Sequence, residues 1–159
     1  MSSYGCQQNL ISSDSHLRAI LEFVCGESNK LANCAIYYGR QLYFKTRKIP
    51  GKYDFHKMFK SNLHFKALYS HVAQQTLTNV AESFSSYIGL LKRIGSGTVT
   101  QHPRLPGYRK DSLKLVTFSK ADVKLKNGML RFPLGSKVKL WLGISELFLP
   151  LSIILFAFC

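Results

Sequence analysis

The sequence predicts an α+β fold: an N-terminal helical bundle followed by a small antiparallel β-sheet or partial barrel. Three observations lead there. Two long stretches carry apolar residues at alternating steps of four and three, which line one face of a helix. A basic stretch holding Pro103, Pro106 and Gly107 then interrupts any helix. Beyond it the apolar period falls to two on either side of Asn127-Gly128, a strong hairpin signal.

Residues 1–12 form a short polar arm in which Leu10 and Ile11 can start a strand. Ser13 or Asp14 can cap the first helix, because a side-chain oxygen there accepts from an unpaired backbone N–H. The helical region spans 13–97. Leu17, Leu21, Val24, Ser28, Leu31, Ala35, Tyr38 and Leu42 make the first seam, and Pro50-Gly51 stops the segment that follows it. A short helix is expected at Tyr53–Lys60, then a turn at Ser61–Asn62. A second long helix is expected over about Phe65–Ile94, with Ala73, Leu77, Val80, Phe84, Tyr87, Leu91 and Ile94 as its seam. Gly95-Ser96-Gly97 closes it. Both seams read as the packing faces of a bundle.

Residues 98–112 are the basic Pro-rich loop, and 113–146 the β region. Strands are expected at Leu113–Phe118, Val123–Lys126, Met129–Phe132 and Lys137–Leu142, the last because lysine alternates with apolar residues there. Residues 147–159 form an apolar, uncharged tail. A membrane span needs about twenty such residues. The tail is shorter and contains Pro150 and Ser152, so it reads as a truncated end rather than an anchor.

The net charge of +14 in 159 residues is unevenly placed. Residues 40–66 hold eight basic residues against Asp54 alone, and 92–139 hold twelve against Asp111 and Asp122. Blocks of this density attract a polyanion, and nucleic acid is the commonest one; an incidentally basic protein is the plainer alternative. Cys6, Cys25, Cys34 and Cys159 form no C-x-x-C pair, and the five histidines complete no zinc pattern. Cys25 and Cys34 fall within a helical stretch and read as buried small hydrophobes. No export signal opens the chain, so a reducing, cytoplasmic setting is expected.

Several stretches together resemble a known family. Ala19–Cys25, Ser28–Leu31, Asn33–Ala35, Tyr38, Arg40-Gln41 and Tyr43–Lys45 are similar to the first long helix of cyanobacterial TnpB/OrfB transposon proteins. Ala73–Thr76 and Glu82–Phe84 resemble a later helix of that family. Pro103–Pro106, Tyr108–Lys110 and Phe132–Gly135 resemble its loop and sheet. The resemblance runs from about Gln7 to Pro150. It implies RNA-guided DNA endonucleases carried by insertion sequences, whose N-terminal part, a helix-turn-helix-like recognition lobe with a wedge-type barrel that would be incomplete here, holds guide RNA and target DNA ahead of a RuvC-like nuclease domain with a zinc ribbon. Such cleavage needs converging carboxylates on divalent metals. The eight acidic residues here are scattered, so no catalytic residue, metal or cofactor is assigned to this chain, which reads as cut off before the catalytic domain.

The binding residues expected are of three kinds. Arg40, Lys45, Arg47, Lys48 and Lys52 would meet phosphates at the end of the first helix, or else complement its C-terminal dipole. In the loop, Arg104, Arg109 and Lys110 would do the same, while Tyr108 either stacks on a base or ribose or anchors the loop onto the sheet. Gln74 and Gln75 would reach base edges or ribose hydroxyls, or serve as a polar contact between helices. Lys120, Lys124, Lys126, Arg131, Lys137 and Lys139 would make one sheet face basic. Guide-type RNA, DNA or both are the expected partners. A stand-alone helix-turn-helix regulator and an inert, membrane-associated remnant are the competing readings.

Overall fold

Ser28, Ala32, Ala35 and Gly39 repeat at steps of four, three and four, and all four are buried on one face of helix α1, Ser15–Thr46. Small side chains on that face let a second helix approach closely. The second helix is α4, Ser70–Gly95, which buries Val72, Ala73, Thr76, Leu77, Val80, Ala81 and Phe84. The Ser28 and Thr76 hydroxyls lie 2.8 Å apart. Thr76 gives its own proton to the Val72 carbonyl at 3.0 Å, so Ser28 is the donor between them. Phe84 faces Gly39, and the Tyr43 and Tyr87 rings meet edge to face at 5.7 Å. Residue numbers rise together along both helices, which are therefore parallel. Helix α2, Lys52–Phe59, and helix α3, Leu63–Ala67, bring the chain back between them.

The computed structural model describes residues 15–98 and 100–150. Over these the protein is α+β, with five helices and one three-stranded antiparallel sheet. The expected arm at 1–12, the caps at Ser13 and Asp14, and the tail beyond Pro150 lie outside the described residues.

Phe55 and Phe84 are wholly buried and face each other with ring centroids 6.3 Å apart. Tyr38 completes the cluster, edge-on to Phe55 at 6.2 Å and to Phe59 at 6.0 Å. A methyl group at Gly39 would lie 2.7 Å from two Phe84 ring atoms and 3.3 Å from Phe55. The missing side chain is the space these rings occupy.

The continuous helix expected from Phe65 is broken. The Asn62 carboxamide oxygen caps α3, accepting from the backbone of His64 and Phe65. Leu68 and Tyr69 are then extended, and α4 starts at Ser70. No helix breaker stands there; tertiary contacts interrupt the helix. Leu68 enters the core, Ser136 Oγ donates to the Lys66 carbonyl at 3.0 Å, and Gly135 presses on the backbone of Ala67 and Leu68.

The β region also differs from expectation. Strand β1, Lys124–Lys126, and strand β2, Met129–Pro133, form the hairpin, with Asn127 at φ 51° and Gly128 at φ 72°, as a two-residue turn of this kind requires. Lys137–Leu142 is not a strand but lies in helix α5, Ser136–Leu142. The αL conformation of Gly143 ends it, with the Gly143 N–H returning to the Lys139 carbonyl. The third strand is β3, Glu146–Pro150, which pairs with β2 and takes in residues assigned to the tail. Leu113–Phe118 forms no ladder. Its even-numbered side chains turn inward and its odd-numbered ones outward, but it lies along α1, where the Lys114 N–H donates to the Cys25 carbonyl at 3.2 Å. Cys25 and Cys34 are free and half-buried, less enclosed than expected. No helix among the described residues is long and apolar enough to cross a membrane.

Phe84→Ala should lower unfolding stability by about 3–5 kcal/mol in urea titration, through lost transfer energy and the cavity left behind. Gly135→Ala should lower it by about 1–3 kcal/mol, because the new methyl would sit 2.2 Å from the Ala67 carbonyl oxygen. Gly95→Ala, with nothing within 4 Å of the new methyl, should leave stability unchanged or slightly raised.

Candidate nucleic-acid interface

The basic loop is held in place by α1. The Arg40 guanidinium donates to the Pro106 carbonyl at 2.9 Å. Asn33 exchanges two hydrogen bonds with the backbone of Arg109, accepting from its N–H at 2.9 Å and donating to its carbonyl at 3.2 Å. Asn29 donates to the Asp111 carbonyl, and Lys114 bonds Cys25. Loop numbers rise as helix numbers fall, so the loop descends along α1 in the opposite direction. Polar side chains on one helix face thus replace the ladder that a loop rich in proline cannot form for itself.

This arrangement divides the expected phosphate contacts. Arg40 is half-buried, bonded to Pro106 and placed over the Phe44 and Tyr108 rings at 5.5 and 5.6 Å. It serves as the loop's anchor. Tyr108 anchors to α1 through Arg40 rather than to the sheet, yet stays 52% exposed, so one side of its ring can still meet a ligand. Arg104, Arg109 and Lys110 are exposed.

Lys45, Arg47, Lys48 and Lys52 are exposed around the end of α1 and the start of α2. Arg47 sits in the left-handed region, at φ 58°, with its guanidinium 5.5 Å from the Tyr43 ring, and Lys52 lies 4.9 Å from the Tyr53 ring. Pro106 sits beside Arg40, six residues or about 9 Å of helix from Thr46. The start of the loop thus lies near the end of α1, whereas Arg109, tied to Asn33, stands about 20 Å of helix from Thr46, and Lys110 follows it down the helix.

Gln74 and Gln75 are elsewhere. They neighbour Thr76, level with Ser28 of α1 and so about 27 Å of helix from Thr46. Both are exposed and line a polar cavity of about 230 Å³ with His56, His71, Thr78, Thr117 and Ser119. His56 Nε2 donates to the Gln74 carbonyl at 3.1 Å, and Gln75 donates to Asn79 at 2.9 Å.

The fixed point of that cavity is Asp122, which is buried. It accepts from Ser119 Oγ at 2.6 Å, His71 Nδ1 at 2.6 Å and the Tyr69 hydroxyl at 3.1 Å. The Ser119 hydrogen bond leads in holding the Asp122 carboxyl below its usual pKa; burial opposes it, and the His71 and Tyr69 bonds add to it. With Nδ1–H committed to Asp122, neutral His71 keeps Nε2 as an acceptor. The carboxylate thus fixes the imidazole's orientation. Sequence spacing gives no sign of this group, because residues 71 and 122 are brought together only by the loop's descent along α1.

Other acids are also committed locally. The Glu27 carboxylate takes bonds from Lys30 and from His64 Nδ1, each at 2.8 Å. Burial is the largest influence on its pKa and acts upward, but these two donors and their charges outweigh it and leave the value lowered. Asp54 bonds the Gly51 backbone N–H at the start of α2, and Glu146 pairs with Arg131 at 2.6 Å. The sheet presents no uniform basic face: Lys137 and Lys139 belong to α5, and Arg131 is bound to Glu146.

Asp122→Asn should lower stability at neutral pH by about 1.5–3 kcal/mol, the range for hydrogen bonds to a charged group. A lowered folded pKa means that the carboxylate's contribution is present above the unfolded value and is lost as pH falls through the folded one. Thermal melts below about pH 4 should therefore fall less steeply for the variant than for the wild type. Parallel slopes would show that Asp122 carries no such linkage.

Compared with protein-family models, with curated proteins and with solved structures, the chain has no match.

Proposed function

We propose that this chain is a nucleic-acid-binding module of the kind implied by its resemblance to TnpB/OrfB transposon proteins, binding guide-type RNA, DNA or both without contributing cleavage chemistry of its own. The observation that carries this reading is electrostatic. All 22 lysines and arginines lie among the described residues, and only Arg18, Lys30 and Arg131 form ion pairs with a carboxylate there. The remaining cations have no internal counter-charge at that range, and their exposed clusters can displace counterions from phosphates.

Two kinds of contact divide the work. Lys45, Arg47, Lys48 and Lys52, with Arg104, Arg109 and Lys110, supply phosphate contacts, and Tyr108 supplies a stacking surface. The polar cavity supplies readout: Gln74 and Gln75 offer amide donors and acceptors to base edges. Gln74 and Gln75 stand in the first turns of α4, which also favours a second reading, a stand-alone duplex-DNA regulator that inserts a helix N-terminus into the major groove.

Fluorescence anisotropy over a salt series, with duplex DNA and structured RNA, tests both. Arg47→Ala, Lys48→Ala and Lys52→Ala together should reduce the slope of log K against log salt by about 2–3 units on duplex DNA if all three contact phosphates. An unchanged slope would move binding to the loop. Gln74→Ala with Gln75→Ala should leave the slope intact and weaken discrimination between sequences, by about 1–3 kcal/mol for each lost base contact. Preference for one duplex sequence without RNA would favour the regulator.

A further inference from the structure

A second, apolar cavity of about 390 Å³ lies between the first half of α1, the extended 113–118 segment and the sheet. Val24, Val116, Phe118, Phe132, Leu134 and Leu147 line it, and its size falls in the range of small-molecule sites. Lys114 also lines it, with its ammonium enclosed behind the wall rather than exposed to the cavity.

Lys114 is out of place by ordinary packing rules. The residue is only 6% exposed, and its ammonium has no hydrogen-bond partner among the described residues. Lysine is almost never fully buried unless paired. An orphaned buried ammonium is expensive, and the expense is visible: burial, reinforced by the charge of Arg109, lowers the Lys114 pKa to about 8. The backbone fixes this placement, since the Lys114 N–H is tied to the Cys25 carbonyl on α1.

We propose that this cavity binds an amphipathic monocarboxylate, with its alkyl chain among Val24, Phe118, Phe132, Leu134 and Leu147 and its carboxylate on the Lys114 ammonium. The apolar walls select a hydrocarbon chain through the area removed from water. The single ammonium selects one negative charge; a phosphate dianion would bring more charge than the wall can neutralise. Lysine's flexible stem allows the ammonium to turn towards an incoming carboxylate. Pairing in a low-dielectric site makes the contact stronger than the same pair on the surface.

The test uses the full chain with decanoate and 1-decanol as probes, read by calorimetry and by the shift in melting temperature. Decanoate should bind at least about ten-fold more tightly than decanol, the worth of one charge-assisted hydrogen bond. That preference should persist in high salt, because a buried pair is screened little, and should fall as pH rises through about 8. Lys114→Met replaces an unpaired ammonium with an apolar side chain of similar length, and should fold as well as the wild type. It should keep decanol binding and lose the preference for decanoate.

Equal affinity for the two probes in the wild type overturns the proposal. So does a preference that survives in Lys114→Met or vanishes in salt, since the general charge of +14 would then be responsible. Failure of both probes to bind, as when another segment of the chain fills the cavity, overturns it too.

Discussion

The contact on which the helical half depends is the seating of Phe84 against Gly39. Ridge-and-groove packing of two helices requires a groove, and the run Ser28, Ala32, Ala35 and Gly39 provides one along α1. Where the groove is deepest, two aromatic rings from different elements share the space of one absent side chain. That sharing sets how closely α4 approaches and clamps α2 beside it, because Phe55 must stay against both. The parallel course of α1 and α4 and the return through α2 and α3 follow from this seating.

With α1 fixed, a polar face of the same helix determines the course of the basic loop. Asn29, Asn33 and Arg40 are spaced along the helix at intervals that meet successive backbone groups of the descending loop. The loop therefore has a definite path although it has no ladder of its own. Its path has two consequences. Near Arg40 it brings the start of the loop, with Pro106, close to the end of α1. Farther down it carries Ser119 and Asp122 to α4, where the buried carboxylate orients His71 beside Gln74 and Gln75.

Most of the buried polar groups follow a common rule. Glu27, Ser28, Thr76 and Asp122 are each satisfied by partners from another helix or loop, as burial in a low-dielectric interior demands. Asn29 Oδ1 and Arg131 Nε lack a partner among the described residues, and so does the Lys114 ammonium, beside the apolar cavity lined by Val116, Phe118 and Phe132. Departures of this kind mark places where stability yields to some other requirement.

The sequence by itself determined the α+β class, the span of α1, the short helix after Pro50-Gly51, the hairpin at Asn127-Gly128 and the distribution of charge. Each is a local matter, fixed by side-chain periodicity, by the conformational limits of proline and glycine, or by counting. Tertiary structure alone decided the break at Leu68-Tyr69, the helical state of Ser136–Leu142 and the pairing of Glu146–Pro150 with β2. It also decided Arg40's role as an anchor and the Asp122–His71 pair. At Leu68 the backbone leaves the helix because Gly135 and Ser136, some seventy positions away, occupy the next turn's place. Lys137–Leu142 alternates as a strand would, but its local pattern is short enough to fit either state, and the packing of Val138 in the core and of Ser136 against α3 settles the matter. Where a segment's own periodicity is long, the side chains choose the structure; where it is short, the partner it must cover chooses instead.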